Sequence, residues 1–237
     1  MHLAEILMKA PSFSYSSIST FITCPKQYEA NYVLKYIPFS DTEATLYGKD
    51  LHSAAEHYIG DETPLPNKYA YIKSYLDTLK RIPGEKLCEY KLAISYVDGV
   101  YATCDYESSD RYWRGIADLV IINGTKAYVV DYKTGKSAKY ADTKQLALIA
   151  AALFLKYPMI ESIKGMLLFV VAETAITETY FRENKLAVFD TLAQPLIMRK
   201  MAYESGVFNP TPNGLCKQWC KAFKCIHNGS YKDAVQE

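Results

Sequence analysis

The stretch Trp113–Lys133, WRGIADLVIINGTKAYVVDYK, carries the clearest structural signal in the chain. Two runs rich in β-branched and aromatic residues, 113–122 and 125–133, flank the pair Asn123-Gly124. An Asn-Gly pair between two such runs is a strong short-range signal for a β-hairpin. The stretch therefore predicts two adjacent antiparallel strands at the centre of the fold.

The predicted turn also predicts which residues of the hairpin are neighbours. A two-residue Asn-Gly loop pairs Ile122 with Thr125 and carries that register along both strands. In this register Asp118 and Asp131 are diagonal neighbours on one face, roughly 7–8 Å apart at the backbone. Lys133 follows two residues later on the same face, because side chains alternate along a strand.

Two acidic side chains in an apolar strand pair need a physical explanation. Burying a carboxylate is costly unless it is paired or binds a metal. Asp118 and Asp131 can share one hard cation such as Mg²⁺, which prefers one or two carboxylates with water and substrate phosphate. Such an ion activates water and stabilises charge on phosphate, and Lys133 can assist either role. The alternative is a structural Asp–Lys ion pair at a strand end.

The regions outside the hairpin predict an α/β (α+β) fold with a central sheet flanked by helices. Helices are expected at Ser16–Cys24, Pro25–Tyr36, Glu43–Ile59, Tyr69–Ile82, Asp142–Lys156 and Asn184–Ser205, the last kinked at Pro195. Further strands are expected at Lys86–Tyr96, Lys164–Ala172 and Thr177–Phe181. We expect a single domain over 1–237, with a helical region at 12–82, a catalytic core at 86–205 and a Cys-rich segment at 206–237.

Composition limits the range of functions. The 237 residues are 49% hydrophobic and 22% charged, which is ordinary for a globular domain. The formal net charge of +1 excludes a general basic coat, so contact with DNA would use a local patch. No signal peptide or membrane span is expected, which predicts a cytoplasmic protein with reduced or metal-bound cysteines. No P-loop signature is present, so ATP-driven unwinding would need a partner.

The hairpin motifs resemble those of the PD-(D/E)XK nuclease superfamily, in its RecB-like exonuclease branch. Gly115-Ile116-Ala117-Asp118, followed by Asp131-Tyr132-Lys133-Thr134-Gly135, is more specific than a bare Asp-x-Lys. Three further segments resemble the same branch: Ser17 to Tyr28 (Ser-x-x-x-Phe-x-x-Cys-Pro-x-x-Tyr), Gly48 to His52, and Gln145-Leu146 at a helix start. The chain is also similar to CRISPR-associated, AddB-type and phage exonucleases.

The resemblance implies specific roles for residues of this chain. It implies metal ligation by His52, Asp118, Asp131 and the backbone carbonyl of Tyr132, catalysis by Lys133, and support of the site or DNA contact by Gln145. The ion would be Mg²⁺ or Mn²⁺. Two more acids are candidate ligands: Glu56, which shares a helix face with His52, and Glu89 on the preceding strand. Their alternatives are a surface His–Glu pair and a solvent-facing strand residue.

Four cysteines form a second candidate site. Cys216, Cys220 and Cys225 are spaced Cys-x₃-Cys-x₄-Cys, and Cys24 can be a fourth ligand. The arrangement resembles the iron–sulfur clamp of CRISPR-associated and AddB-type relatives, whose usual spacing is Cys-x₂-Cys-x₅-Cys. Because the middle cysteine is shifted, a [4Fe–4S] cluster, zinc and free packing thiols all remain open.

These observations favour a metal-dependent DNA exonuclease acting at DNA ends in recombination, repair or phage DNA metabolism. A recombinase, a helicase or a single-strand-binding protein would be a suitable further partner, and a bacterial or phage source is expected. The alternatives are a DNA-binding or assembly subunit that does not cut, and an endonuclease on the same fold. Two groups of lysines can follow a phosphate backbone or form a solvated surface: Lys136, Lys139 and Lys144, and Lys217, Lys221 and Lys224.

Overall fold

A six-stranded mixed β-sheet organises the chain in a computed structural model that describes residues 10–37 and 41–231. The strands are β1 (Glu85–Val97), β2 (Val100–Thr103), β3 (Arg111–Asn123), β4 (Lys126–Lys133), β5 (Ser162–Phe169) and β6 (Thr174–Phe181). Their order is β2-β1-β3-β4-β5-β6, and every neighbouring pair is antiparallel except the parallel pair β4 and β5.

The described residues contain six α-helices. They are α1 (Tyr15–Thr23), α2 (Pro25–Tyr28), α3 (Glu43–Gly60), α4 (Lys73–Arg81), α5 (Lys144–Lys156) and α6 (Ala187–Ser205). A π-helical turn at Glu29–Val33 and 3₁₀ turns at Asn67–Ile72 and Arg182–Asn184 complete the helical elements of the described residues. The predicted mixed α/β class is confirmed.

The two faces of the sheet are covered by different helices. Leu119 of β3 and Val130 of β4 pack in one apolar cluster with Leu51 of α3 and Leu76 of α4. On the other face α5 lies close to β5. A Cβ atom at Gly165 would stand 3.1 Å from Leu146 Cδ1 and 2.9 Å from Tyr180 Cε2. Glycine at this position therefore permits the close approach of helix to sheet.

The sequences of α3 and α5 explain where α3 begins and why α5 can connect two parallel strands. A capping box at the start of α3 joins Thr42 and Thr45, each side chain bonding the other's backbone N–H. The helix α5 is apolar nearly all round, and Leu146 and every residue from Leu148 to Phe154 are buried. Such a helix suits the connection between β4 and β5, since parallel neighbours need a long crossover.

The chain divides into two compact units. One unit spans residues 41–190 and contains the whole sheet with α3, α4 and α5. The other combines residues 1–40 with 191–237, of which 10–37 and 191–231 are described. No helix in the described part of the chain is long and apolar enough to cross a membrane.

The predicted hairpin register is wrong by two residues. Asn123 pairs with Lys126, so the central residues of the turn are Gly124 and Thr125. Gly124 has a φ of +59°, whereas Thr125 is not among the residues with positive φ. This is the pattern of a type II′ turn, which takes glycine at its first central position. The glycine was correctly assigned to the turn, but its place within the turn was not.

One strand is absent from the sequence prediction. β2 pairs with the end of β1 across Asp98-Gly99, whose φ angles are +49° and +82°. Positive φ at both central residues is the requirement of a type I′ hairpin turn, for which Asp-Gly is a preferred pair. The signal was therefore present in the sequence, next to the Val97 and Val100 positions that it joins.

Two predicted helices differ in their internal form. The helix expected at Pro25–Tyr36 is α-helical only to Tyr28 and continues as the π-helical turn. The helix expected at Tyr69–Ile82 begins as a 3₁₀ turn before α4. Pro195 lies inside α6, at the ninth of its nineteen positions.

Candidate active site

The candidate site lies where the pairing of β3 and β4 ends. Their last pair is Leu119 with Val130, and the same register would set Asp118 opposite Asp131. Instead of a strand-to-strand bond, the backbone N–H of Tyr132 donates to Asp118 Oδ2 at 2.7 Å. The two carboxylates are therefore at opposed positions rather than diagonal ones, beside a gap in the backbone ladder.

A group of three potential ligands surrounds Asp118. One ligand atom from each of His52, Glu89 and Asp118 lies within 4.8 Å of the others. His52 Nδ1 is 3.4 Å from Asp118 Oδ1, while its Nε2–H donates to the carbonyl oxygen of Tyr132 at 2.9 Å. Two carboxylates and an imidazole form a donor set that accepts a divalent cation.

An irregularity in β1 accompanies the position of Glu89. The pairing of β1 with β3 passes from Cys88–Leu119 to Tyr90–Ala117 and omits Glu89 and Asp118. Glu89 also has a φ of +46°, in the left-handed region. For a non-glycine residue this conformation costs about 1–2 kcal/mol, and it is kept where the surrounding structure enforces it. The strand is thus strained at the residue that completes the ligand group.

A second group is built around Asp131, which is only 3% exposed. Gln145 of α5 donates from Nε2 to Asp131 Oδ1 at 2.7 Å and accepts from Lys133 Nζ at 3.3 Å. Lys133 Nζ lies 2.6 Å from Asp131 Oδ2. No other group among the described residues bonds to that oxygen. The charges are paired, but the carboxylate keeps an unused acceptor position.

Burial and the charge of Asp118 raise the pKa values of the two neighbouring acids, Asp131 and Glu89. Burial raises the pKa of Asp131 to about 6, and the charge of Asp118 adds to this while Lys133 opposes it. Burial also raises the pKa of Glu89, again with a contribution from Asp118. Burial lowers the pKa of His52, but the hydrogen bond and charge of Asp118 outweigh it and leave that pKa above its usual value.

These features fit a divalent cation. The unused acceptor position on the buried carboxylate of Asp131 and the like charges of two further acids are unfavourable alone, and a cation relieves both. Asp118 is approached by His52 from α3, whereas Asp131 is approached by Gln145 from α5.

The remaining sequence candidates occupy different positions. Glu56 lies one helical turn from His52 and outside the group of close ligand atoms, although its charge contributes to the raised pKa of Glu89. Gly48, at the start of the Gly-x-x-x-His segment, lies near Thr134 of the Asp-x-Lys-Thr-Gly segment. A Cβ atom there would stand 3.5 Å from Thr134 Oγ1. Two motifs that are remote in the sequence therefore adjoin.

The four cysteines belong to the unit formed by residues 1–40 and 191–237. Cys24 Sγ accepts a hydrogen bond from the backbone N–H of Thr211 at 3.4 Å, and Cys216 Sγ accepts one from Asn213 at 3.3 Å. Among the described residues these thiols do not form a group of three within 4.8 Å. A preformed tetrahedral zinc site would hold its sulfurs about 3.8 Å apart, because Zn–S bonds are about 2.3 Å long.

Comparisons with known proteins identify the family of the chain and similar folds. The sequence matches the profile of the PD-(D/E)XK nuclease superfamily over residues 12–225. A solved structure from Eubacterium rectale, described as a candidate exonuclease, has a TM-score of 0.54 at 11% identity and covers 93% of this chain and 92% of its own. The structure of SSO0001 covers 96% of this chain and 98% of its own at 11% identity, with a TM-score of only 0.39. No curated protein matches the chain.

The fold and the site together indicate the class of protein. A mixed sheet that gathers acids, a histidine and a lysine at a break between two strands is suited to binding a cation and a phosphate. The family match covers most of the chain, and the protein belongs to the PD-(D/E)XK nuclease superfamily. Membership supports a nuclease, as the Asp-x-Lys segment predicts.

Proposed function

We propose that the protein is a Mg²⁺- or Mn²⁺-dependent DNA exonuclease of the RecB-like branch. The observation that carries this proposal is the buried Asp131, held by Lys133 and Gln145 beside the His52, Glu89 and Asp118 group. An ion pair serving stability alone would not require two further acids beside it, of which Asp118 contributes to the raised pKa of both Glu89 and Asp131. The exonuclease assignment rests on the motif resemblance at Gly115–Asp118 and Asp131–Gly135.

The chain supplies distinct roles in phosphodiester hydrolysis. His52, Glu89, Asp118 and Asp131 would hold the metal, together with the backbone carbonyl of Tyr132, and Glu56 would lie outside them. When bound, the metal supplies Lewis acidity toward water and phosphate. Lys133 is 35% exposed, so its ammonium can donate to a phosphate oxygen or to the attacking water. Gln145 would keep Lys133 directed toward the site through its bond to Nζ.

Two finer features belong to the same proposal. DNA with free ends is the proposed substrate, in recombination, repair or phage DNA metabolism, with a helicase, recombinase or single-strand-binding protein as partner. Cys24, Cys216, Cys220 and Cys225 are proposed as ligands of a [4Fe–4S] cluster, with zinc as the alternative. Visible absorption with iron, sulfide and zinc analysis of the purified protein decides between them.

The test is digestion of end-labelled linear DNA with Mg²⁺ and with Mn²⁺. Wild type should release nucleotides, whereas Lys133→Ala and Asp131→Asn should lose at least about 100-fold in rate, comparable to removing one preorganised transition-state donor. Lys126→Ala, an exposed lysine at the opposite end of β4, is the matched control and should cut normally.

The alternatives give different results in the same experiment. A DNA-binding subunit would retain linear DNA in a complex and leave it whole with either metal. An endonuclease would open covalently closed circular DNA, whereas an exonuclease leaves the circle intact. Cutting by wild type and Lys133→Ala at equal rates would refute the assignment of the site.

A further inference from the structure

A single loop connects Lys133 and Gln145, two members of the group around Asp131. Residues 134–143, called here the Tyr140 loop, begin after Lys133 and end just before α5, which carries Gln145. The side chains at the two ends are in contact, because Lys133 Nζ donates to Gln145 Oε1 at 3.3 Å. A molecule held by this loop is therefore held beside the site.

The tip of the loop is an ordered turn. The backbone N–H of Ala141 donates to the carbonyl of Ala138 at 3.0 Å, which leaves Lys139 and Tyr140 as the central residues. Ser137 Oγ accepts from the backbone N–H of Lys139 at 3.2 Å. The turn thus presents Tyr140 outward through local hydrogen bonds, and the ring is 86% exposed.

The loop is basic in a chain that is nearly neutral. Lys136 and Lys139 are exposed, and no acidic residue occurs from 134 to 141. Lys139 Nζ lies 5.3 Å from the centroid of the Tyr140 ring. The next acid, Asp142, is in an ion pair with Lys144 at 3.0 Å. The Tyr140 ring, with the Lys139 ammonium beside it, is thus available to solvent on a segment that carries a second exposed lysine and no acid from 134 to 141.

We propose that the Tyr140 loop binds the single-stranded end of the DNA substrate, and this inference rests on the nuclease function proposed above. The Tyr140 ring stacks on an unpaired base, and Lys136 and Lys139 contact the phosphates on either side of it. Aromatic faces combined with positive charge are the general means of holding single strands. The neighbours of Tyr140 are small or polar, so the loop lacks the contiguous apolar patch that a protein partner would need.

The chemistry also specifies the state of the DNA. In a blunt duplex the internal bases have both faces occupied by stacking, and only the two terminal pairs expose a face on which a tyrosine can stack. An unpaired terminal base offers a free π-face at low cost. The loop therefore selects single-stranded ends over blunt duplex, without reading base sequence.

The experiment measures Kd for a fluorescent oligothymidine and for a blunt duplex of equal length, with Ca²⁺ replacing Mg²⁺ to prevent cutting. Tyr140→Ala should weaken binding of the single strand roughly tenfold, as for loss of one base stack, while Tyr140→Phe binds as wild type. Phe181→Ala is the control, since Phe181 is a 48% exposed aromatic at the opposite end of the sheet.

The lysines are tested by salt dependence. The double variant Lys136→Gln, Lys139→Gln should reduce the slope of log Kd against log salt by about 1.4, since each contact with single-stranded phosphate contributes about 0.7. The control is Lys126→Gln with Lys164→Gln, two exposed lysines on the strands β4 and β5. This pair should leave the slope unchanged.

The outcomes separate the inference from the nuclease proposal. Equal Kd for Tyr140→Ala and wild type on single strands overturns the inference, even if wild type digests DNA. Equal losses of affinity for single strand and for blunt duplex in Tyr140→Ala also overturn it. A loop that binds a protein partner and no DNA overturns it as well. Loss of single-strand binding in Tyr140→Ala supports it, and digestion by wild type but not Lys133→Ala tests the nuclease function independently.

Discussion

Asp131 is the residue at which the physical chemistry of the site is concentrated. Asp131 is 3% exposed, and the charge of Asp118 contributes to its raised pKa. Its ion-pair partner is Lys133, two residues further along the same strand. Ionisation of such a group costs free energy in the folded state that it does not cost in the unfolded chain. Without a bound cation, the folded protein with Asp131 is therefore less stable than the same protein with an amide side chain at position 131.

This cost predicts a pH-dependent effect of Asp131→Asn. Burial raises the pKa of Asp131 from 3.8 to about 6, so the destabilisation is absent below about pH 4, grows between those values and is complete above pH 6. The variant should exceed wild type in free energy of unfolding at pH 7 by up to about 3 kcal/mol. Thermal melts in a metal chelator at pH 4 and pH 7 check this, and a less stable variant at pH 7 would contradict it.

A second prediction concerns the metal and His52. Saturating Mn²⁺ should raise the Tm of wild type, since a ligand at 100 times its Kd stabilises the folded state by about 2.7 kcal/mol. His52→Ala should lose most of that increase because one ligand is gone. His57→Ala is the control on the same helix, where His57 pairs with Asp61 at 2.7 Å and is exposed. Equal increases in both variants would exclude His52 as a ligand.

At the scale of elements, the site depends on how strands and helices approach each other. The strained Glu89, the omitted pair in β1 and β3, and the end of pairing between β3 and β4 all occur at one level of the sheet. Helices from both faces reach this level, α3 with His52 and α5 with Gln145. The ligand geometry is thus determined by packing of α3 and α5 against the sheet.

Gly165→Ala tests the packing of α5. The added methyl group would lie 2.9 Å from Tyr180 Cε2 and 3.1 Å from Leu146 Cδ1, and both must move. We expect a loss of about 1–3 kcal/mol in the free energy of unfolding, as for overpacked cores. Chemical denaturation measures it. Gly214→Ala is the control, because nothing lies within 4 Å of its Cβ position and its φ is not positive. An equally stable Gly165→Ala protein would contradict this view of the interface.

At the scale of the whole molecule, the chain brings its two end regions into one unit. Arg199 of α6 is 2% exposed and donates to the hydroxyl of Tyr28 at 2.8 Å and to the carbonyl of Pro11 at 2.5 Å. Its guanidinium also lies 5.5 Å from the Tyr28 ring centroid. One planar side chain thus joins segments nearly two hundred residues apart in the sequence.

Arg199→Lys should therefore destabilise the protein although it retains the charge. An ammonium cannot reproduce the two directed bonds of the guanidinium, and the buried Tyr28 hydroxyl would lose a charged donor, a loss worth about 1–3 kcal/mol. Chemical denaturation should show a lower free energy of unfolding than wild type. Lys200→Ala, at the adjacent exposed position of the same helix, serves as the control and should change stability by less than about 0.5 kcal/mol. Similar losses in the two variants would contradict a special role for Arg199.

The sequence by itself determined the class of fold, most elements and the family. The alternation of apolar and polar residues, the turn residues and Asp-x-Lys-Thr-Gly are local signals. Such signals can be recognised without knowledge of the rest of the chain. They were sufficient to predict the hairpin and the helices α3 and α5. They also indicated four candidate site residues: Asp131, Lys133, His52 and Gln145. The overlooked strand β2 also had a local signal, in Asp98-Gly99.

Only the tertiary structure decided which of those residues meet. The register of Asp118 and Asp131 depends on whether Gly124 is the first or second central residue of its turn, and both positions suit glycine. The contact of Glu89 with His52 requires a strained residue in β1 and the packing of α3 on the sheet. Such contacts join segments far apart in the chain, and their free energies depend on close packing between elements rather than on the local pattern within any one of them.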